Sequence, residues 1–475
     1  MNALRERGDR VLAIAFYSLA DTRAMTATHI YKPSRFNAMR RVGRRLMLAN
    51  SFTGAVVSFD ADEGPLVRFL LRGSIDRADL PSIAFDLMKF GFLVPSDRDE
   101  LAAVDALRDA LNDPQTLDLI VMPTEACNFR CVYCYGDFSK HAMSLDVRTR
   151  LKTFMRTTVP QLRTLRLAWF GGEPLLAFPV LVEIAEYAQS LCETHGVHFE
   201  SSITTNGYLL DREKIEFLEA TQCRQYQVTL DGTPETHDRT RPLSDGGATF
   251  EVIWSNLLRL RASRYAHQVL VRVNVHQENE RAARTLVARF MESFGEDPRF
   301  TLDFHTLWEG SSGGLRPLAD REGSLQNLRT IALRASARDC IGFNAFGPGA
   351  RYCYSGRTNA LVVGADAQLY KCTLAFGDSR NHIGTLTDSG RAQIDDEKFA
   401  LWTSQSDYRS DATCGDCFYV PGCLGAACPF TRIVEGRRPC PPEKTHLAAT
   451  LGTAHAVCDA ILRSTPNSHE GKCST

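Results

Sequence analysis

Between Leu117 and Phe300 the chain alternates two hydrophobic rhythms. Short apolar runs begin near Leu117, Leu165, Val197, Tyr226, Val269 and Phe300 and predict strands. Between them, Val180 to Cys192, Glu213 to Ala220, Phe250 to Ala262 and Glu278 to Phe294 place apolar residues at helical spacing. Such alternation predicts an α/β fold with a parallel sheet and right-handed crossovers. Six units fall short of the eight that close a barrel, so an open, six-unit partial (β/α) barrel is expected. In Val271-Arg272-Val273-Asn274-Val275 the alternation puts Arg272 and Asn274 on one face, toward the barrel interior. There they either meet a ligand or hydrogen-bond to each other.

The flanks read differently. Arg45 to Phe59 and Val67 to Leu71 predict short β segments, Leu80 to Phe90 a helix and Phe92-Leu93-Val94 a strand. Leu101 to Gln115 is polar with a helical pattern and reads as a domain hinge. Arg40, Arg41, Arg44 and Arg45 form a basic cluster, either a solvated face or a site for an acidic partner. From Cys340 onward periodicity fades, and cysteines arrive at 340, 353, 372, 414, 417, 423, 428 and 440. The expected domains are 1–115, 116–335 for the barrel, 336–445 for the cysteine-rich part, and a helix or tail over 446–475. Cys192 and Cys223, at expected helix ends, read as core; Cys458 and Cys473 lie in the tail and read as non-ligands.

Composition narrows the class. The 475 residues are 44% hydrophobic and 23% charged, with a formal net charge of -1, as in a globular protein of several domains. That balance supplies no drive toward nucleic acid or an anionic membrane. No apolar run approaches the ~18 residues of a spanning helix, and the charged start (Arg5, Glu6, Arg7, Asp9, Arg10) is unlike a signal peptide. Fifteen cysteines then point to metal binding in a reducing, cytoplasmic compartment.

The chemistry concentrates in Cys127-Asn128-Phe129-Arg130-Cys131-Val132-Tyr133-Cys134. Three thiolates at this spacing fit one 4Fe-4S cluster, which four would saturate, so one iron stays open to a small molecule. A zinc knuckle is the bland alternative. The triad follows the strand-like Leu117 to Met122, and the carboxyl end of such a strand is where barrel chemistry sits. One unit later, Trp169-Phe170-Gly171-Gly172-Glu173-Pro174 is a strand followed by a glycine turn that lets backbone approach a ligand closely.

In this order the motifs resemble the radical S-adenosylmethionine (radical SAM) superfamily. Cys127, Cys131 and Cys134 match its cluster motif, with Tyr133 as the usual aromatic residue before the third cysteine. Gly171, Gly172 and Glu173 match the segment that contacts the methionine amino group. The resemblance extends to Thr204-Thr205-Asn206-Gly207 and to Thr229-Leu230-Asp231-Gly232 with His237 and Arg241. It implies cofactor contacts at Thr205, Asn206, Thr229, Asp231 and Arg241, with Arg272 and Asn274 as further candidates; no catalytic residue is assigned.

The C-terminal cysteines resemble the SPASM domain, an extension that carries two auxiliary 4Fe-4S clusters; a zinc module is the alternative. By that likeness Cys353, Cys372 and Cys428 hold a nearer cluster, and Cys414, Cys417, Cys423 and Cys440 an outer one. Cys340 is either the fourth ligand of the nearer cluster or that cluster keeps an open iron. Two departures stand out: Ala367 replaces a usual glycine, and four residues rather than three separate Cys423 from Cys428. The N-terminal unit looks like the winged-helix peptide-recognition element of radical SAM peptide maturases, which captures a leader peptide by strand addition.

The resemblance implies that a reduced cluster cleaves S-adenosylmethionine to a 5′-deoxyadenosyl radical, which takes hydrogen from the substrate. The leading expectation is a maturase that crosslinks or otherwise modifies a ribosomally made precursor peptide, with a reductase, flavodoxin or ferredoxin as electron donor. The alternatives are a sulfatase-maturating, formylglycine-generating enzyme or a small-molecule cofactor-biosynthesis enzyme. In the sulfatase-maturating relatives an aspartate follows the second SPASM cysteine; here Thr373 follows Cys372.

Overall fold

A ten-stranded sheet organises the molecule. The computed structural model describes residues 2–6, 11–15, 30–136, 141–307, 315, 318, 321–336, 338–404 and 407–464. Strands β1 (Thr116–Val121), β2 (Thr164–Trp169), β3 (His198–Thr205), β4 (Cys223–Thr229), β5 (Gln268–Val275) and β6 (Phe300–Thr306) lie side by side in chain order, all parallel. Each falls where an apolar run predicts it, and the four expected helices appear as Phe178–His195, Arg212–Ala220, Phe250–Ala262 and Glu280–Phe294. The sheet does not stop at β1. Strand β7 (Ala360–Val363) pairs parallel to it, and β8 (Gln368–Tyr370), β9 (His382–Leu386) and β10 (Ala392–Ile394) extend it antiparallel. The region after Cys340, without visible period in the sequence, therefore continues the barrel sheet.

The two faces of the parallel strands differ. Leu117, Leu119 and Val121 of β1, Leu165, Leu167 and Trp169 of β2, and Val269, Val271 and Val273 of β5 are buried in one apolar core with the helices. Each such side chain contributes roughly 1.5–3 kcal/mol on full burial. A parallel sheet covered on both faces reads as continuous apolar runs. Here the opposite face keeps Asp118, Arg166, Glu200, Thr229, Arg272 and Asp303, none fully buried. Asp118, Arg166 and Glu200 occupy adjacent register positions, and Arg166 donates to Asp118 at 3.3 Å and to Glu200 at 2.6 Å. The face of the sheet away from the helices is therefore polar and incompletely buried.

The stretch Pro174–His195 is long and apolar enough by composition to cross a membrane, contrary to the reading of the apolar runs. In the fold it lies between β2 and β3, with Val180, Leu181, Ile184, Ala185, Ala188 and Cys192 buried. Cys223 opens β4 rather than ending a helix; it and Cys192 are both fully buried core residues.

The N-terminal unit holds a five-stranded sheet in the order Asn2–Glu6, Val11–Ala15, Val56–Phe59, Arg45–Asn50, Asn37–Val42, and a three-stranded sheet of Ile75–Asp76, Ile30–Pro33 and Leu93–Pro95. Val67 to Leu71, expected as a strand, belongs to helix Gly64–Leu70. Val67 and Leu70 are buried while Leu66 and Phe69 are exposed, which is helical spacing. Arg40 and Arg41 are exposed on the edge hairpin, and Arg45 pairs with Asp60 at 3.0 Å.

The expected hinge is a packed helix. Glu100–Leu111 is capped by Asp99, and its Leu101, Val104, Leu107 and Leu111 enter a core with Phe36, Tyr352, Tyr408, Val420 and Leu424. That core joins the N-terminal and cysteine-rich regions directly. The final helix, Leu447–Ser464, packs on helix Arg321–Ala335 and on the N-terminal sheet. It buries Cys458; Cys473 lies outside the described residues.

Candidate active site

The loop after β1 carries Cys127, Cys131 and Cys134 and is clamped on two sides. The turn after β2 holds its start: Gly172 N donates to Thr124 O at 3.2 Å and Glu173 N to Ala126 O at 2.9 Å. A Cβ on Gly172 would lie 2.3 Å from the carbonyls of Ala126 and Glu125, so this contact requires glycine. The segment after β4 holds its end: Arg130 N and Val132 N donate to Pro242 O and Thr240 O, both at 2.9 Å, on either side of Arg241.

Glu173 and Asp231 occupy the centres of these clamps. Glu173 is fully buried; its carboxylate accepts from Leu175 N at 3.0 Å, Thr205 Oγ1 at 2.8 Å and Asn206 N at 2.7 Å. Burial pushes its carboxyl up to about 6 against these bonds. Asp231, also fully buried and raised by burial, accepts from the Tyr133 hydroxyl and, at 2.9 Å, from Asn274 N. His237 Nδ1 accepts from Asp231 N at 3.1 Å, and burial holds that imidazole neutral. The Glu173, Thr205 and Asp231 side chains, expected among the cofactor contacts, are hydrogen-bonded within the protein and tie the surrounding loops together.

Other expected contacts remain available. Arg241 is buried, donates to Tyr133 Oη at 2.7 Å, lies over the Phe129 and Tyr133 rings, and keeps a buried Nε without a hydrogen-bond partner among the described residues. Asn206 donates to Asn128 Oδ1 at 2.8 Å and approaches Cys127 Sγ at 3.9 Å. Thr229 and Arg272 share a register position at the carboxyl ends of β4 and β5. Arg272 Nε donates to Asn274 Oδ1 at 3.2 Å, and Asn274 Nδ2 to Tyr133 Oη at 3.1 Å. The Arg272–Asn274 pair thus satisfies itself in part.

The three thiols are electrostatic neighbours, Cys127 and Cys131 largely covered and Cys134 exposed. Burial raises Cys127 to about 12, and Glu173, Cys131 and Cys134 add to it; Cys131 is raised by burial and by Cys134. Clustered buried thiols become thiolates only beside positive charge. An iron–sulfur core supplies that charge, and the orphaned Arg241 Nε suits a carboxylate next to it; these residues fit a cluster with a small-molecule ligand.

Two further cysteine groups stand apart from it. Cys414, Cys417, Cys423 and Cys440 line one small cavity, open to solvent, with Arg432, Arg438 and Lys444. Cys353, Cys372 and Cys428 form the second group, each of Cys353 and Cys372 raised chiefly by burial and further by its cysteine neighbours. The extra residue before Cys428 is absorbed by a left-handed corner at Leu424 and Gly425, φ 49° and 75°. Ala367 also sits at φ 68°, so the glycine-type conformation persists without the glycine. Cys340 is fully buried at the edge of the barrel sheet. Its buried thiol lies beside Asp339, Arg338 and Ser336, and its carbonyl accepts from Leu302 N at 2.8 Å at the β6 edge.

Sequence reasoning passed over Tyr135. Its ring is 43% exposed, and its phenol has Cys134, Cys372 and Arg272 as electrostatic neighbours, so it stands between the first and second cysteine groups. The only available signal was its position directly after Cys134.

A family model for the Radical SAM superfamily matches residues 121–289. Mycofactocin maturase MftC of Mycobacterium ulcerans is 26% identical over 64% of this chain and 80% of its own length. The GTP 3′,8-cyclase of Xanthomonas campestris pv. campestris is 27% identical over 54% and 79%. The serine-type anaerobic sulfatase-maturating enzyme of Klebsiella pneumoniae is 26% identical over 70% of this chain and 92% of its own length. With the cysteine loop and its clamps inside the matched segment, residues 121–289 form a radical SAM domain, and the chain is similar to maturases that carry one.

Proposed function

We propose that this enzyme modifies a ribosomally synthesised precursor peptide, by a crosslink or another C–H functionalisation, and binds the peptide's leader through its N-terminal unit. The observation that carries the reading is the presence of two cysteine groups beyond the first, one of them lining a cavity, in a chain that also has a β-rich N-terminal unit. The relatives named maturases, which align over most of their own length, support it. When bound, the first cluster with S-adenosylmethionine supplies a 5′-deoxyadenosyl radical that takes a hydrogen atom from the substrate.

The protein's own part is placement. Arg241 offers a guanidinium to the carboxylate of the methionine moiety, and Thr229 a hydroxyl at the end of β4. Tyr133 and Asp231 fix Arg241 in its rotamer. Arg272, Asp303 and Tyr135 face the interior, where a substrate side chain sits. Cys353, Cys372 and Cys428 are candidate ligands of a nearer auxiliary cluster, and Cys414, Cys417, Cys423 and Cys440 of an outer one. Thr373, held by Tyr354 Oη at 2.9 Å, supplies no carboxylate for formylglycine formation.

A small-molecule reaction is the second reading, favoured by the cyclase relative. The test is anaerobic incubation of reconstituted enzyme with S-adenosylmethionine, reductant and the peptide encoded beside its gene. A mass change in the peptide with stoichiometric 5′-deoxyadenosine supports maturation. An unmodified peptide, with GTP consumed instead, sinks it.

A further inference from the structure

The loop that carries Cys414 and Cys417 is gripped from the far side by the N-terminal unit. Arg35 Nη2 donates to Gly415 O at 2.7 Å and reaches Asp416 Oδ1 at 3.4 Å. The Ser51 hydroxyl donates to Phe418 O. Arg35 lies two residues before strand Asn37–Val42, and Ser51 directly follows strand Arg45–Asn50.

Both grips are themselves held. Arg35 N donates to Glu100 Oε2 at 3.1 Å and Ser34 Oγ to Glu100 Oε1 at 2.6 Å. Asn50 Nδ2 donates to Ser34 Oγ, Asn37 Oδ1 and Gly91 O at 2.9–3.1 Å, and Ser51 N to Phe36 O at 3.2 Å. Phe36 and Cys414 lie in the same buried apolar core. On the opposite side of the loop, Arg432 Nη2 approaches Cys414 Sγ at 3.9 Å.

We infer that Arg35 and Ser51 are positioning residues of the outer cysteine site, so the N-terminal unit is a structural part of that site. The inference rests on reading the site as an iron–sulfur centre. Gly415 and Asp416 form the turn between two ligands, and the orientation of their peptide groups sets which N–H groups face the cluster sulfurs. Hydrogen bonds to sulfur and local charge are what tune a cluster's potential. Releasing the Gly415 carbonyl frees the turn and removes a cation from the edge of an anionic centre. Both effects disfavour the reduced form. The Arg35 side chain is 33% exposed, so its charge effect is screened and the geometric effect dominates.

The test uses the full chain, reconstituted anaerobically, with iron counting and a redox titration followed by electron paramagnetic resonance. C414A identifies the signal of the outer centre. In R35A and R35A/S51A that one signal moves to more negative potential or loses its iron, while the other two clusters' signals stay unchanged. R35K, which keeps a donor toward Gly415, stays near wild type. Full iron with an unchanged outer signal in R35A/S51A overturns the inference, as does a simultaneous change of all three signals, which reports general unfolding. Wild-type protein holding only about four irons, with zinc in the remaining sites, instead overturns the cluster reading of the site.

Discussion

The Tyr133 hydroxyl is hydrogen-bonded to the Asp231 carboxylate, tying the cysteine loop to the segment after β4. The same oxygen accepts from Arg241 Nη1 and Asn274 Nδ2, so one phenol joins three elements that converge on the thiols. It sets the distance between the cluster loop and the guanidinium proposed to hold the cofactor's carboxylate.

Tyr133→Phe keeps the ring and removes only that oxygen. The Asp231 carboxylate then retains Asn274 N alone among these partners, and two donors lose their acceptor in a buried setting. Leaving such groups unsatisfied costs about 1–3 kcal/mol. Chemical denaturation should show a loss of that size, and S-adenosylmethionine should bind more weakly by about tenfold. Unchanged affinity would separate Tyr133 from cofactor placement.

Glu173 predicts a pH dependence. Its carboxyl is raised to about 6 from an ordinary 4.5 by burial, so the folded state binds more protons than the unfolded state between those values. Stability on this account is highest at low pH and declines as pH rises through that window. Relative to Glu173→Gln, which does not titrate, the wild type should lose about 1 kcal/mol of unfolding free energy between about pH 5 and pH 7. Urea unfolding at the two values measures it; a constant difference would mean that the Leu175, Thr205 and Asn206 bonds cancel the burial.

Ala367 holds a left-handed backbone, φ 68°, at 2% exposure before β8. A Cβ in that region costs about 1–2 kcal/mol, partly offset by the greater unfolded-state freedom of glycine. Ala367→Gly should therefore stabilise the chain by about 0.5–1 kcal/mol, read as an upward shift in denaturation midpoint. A destabilised variant would show that the methyl packs usefully.

The parallel strands were legible because only one face of the sheet is filled, which leaves a period of two in runs such as Val271 to Val275. The cysteine groups were legible because ligand spacing is local in sequence. What escaped was non-local. Five residues at Val67–Leu71 fit two periods, and only burial on one side of helix Gly64–Leu70 decides between them. Nothing near Glu173 announces that Thr205 and Asn206 consume its oxygens. Cys340 belongs by sequence to the cysteine-rich run, and nothing in that run announces that its carbonyl accepts from Leu302 N at the β6 edge.

The misread hinge gives the sharpest test. If Leu101–Gln115 were a flexible connector, removing everything before Asp99 would leave the barrel and all cysteine groups intact. In the structure, Leu101, Val104 and Leu107 share a core with Phe36, Tyr408 and Val420, next to Cys414, and Ser51 and Arg35 hold the following loop. The deletion removes Phe36 and Phe52 from that core and leaves Glu100, 8% exposed, without Ser34 and Arg35. A cavity of that kind costs about 3–5 kcal/mol for each large aromatic lost. Most of the apolar core around residues 121–289, the radical SAM segment, comes from its own helices and strands, and the N-terminal sheet adds only Ala38, Met47, Ala49 and Val56 to its buried residues. The truncated chain should therefore retain the signal of the Cys127–Cys131–Cys134 centre, lose the outer one and become prone to aggregation. Iron counting beside resonance spectra distinguishes this from a detachable recognition module, which would keep every signal.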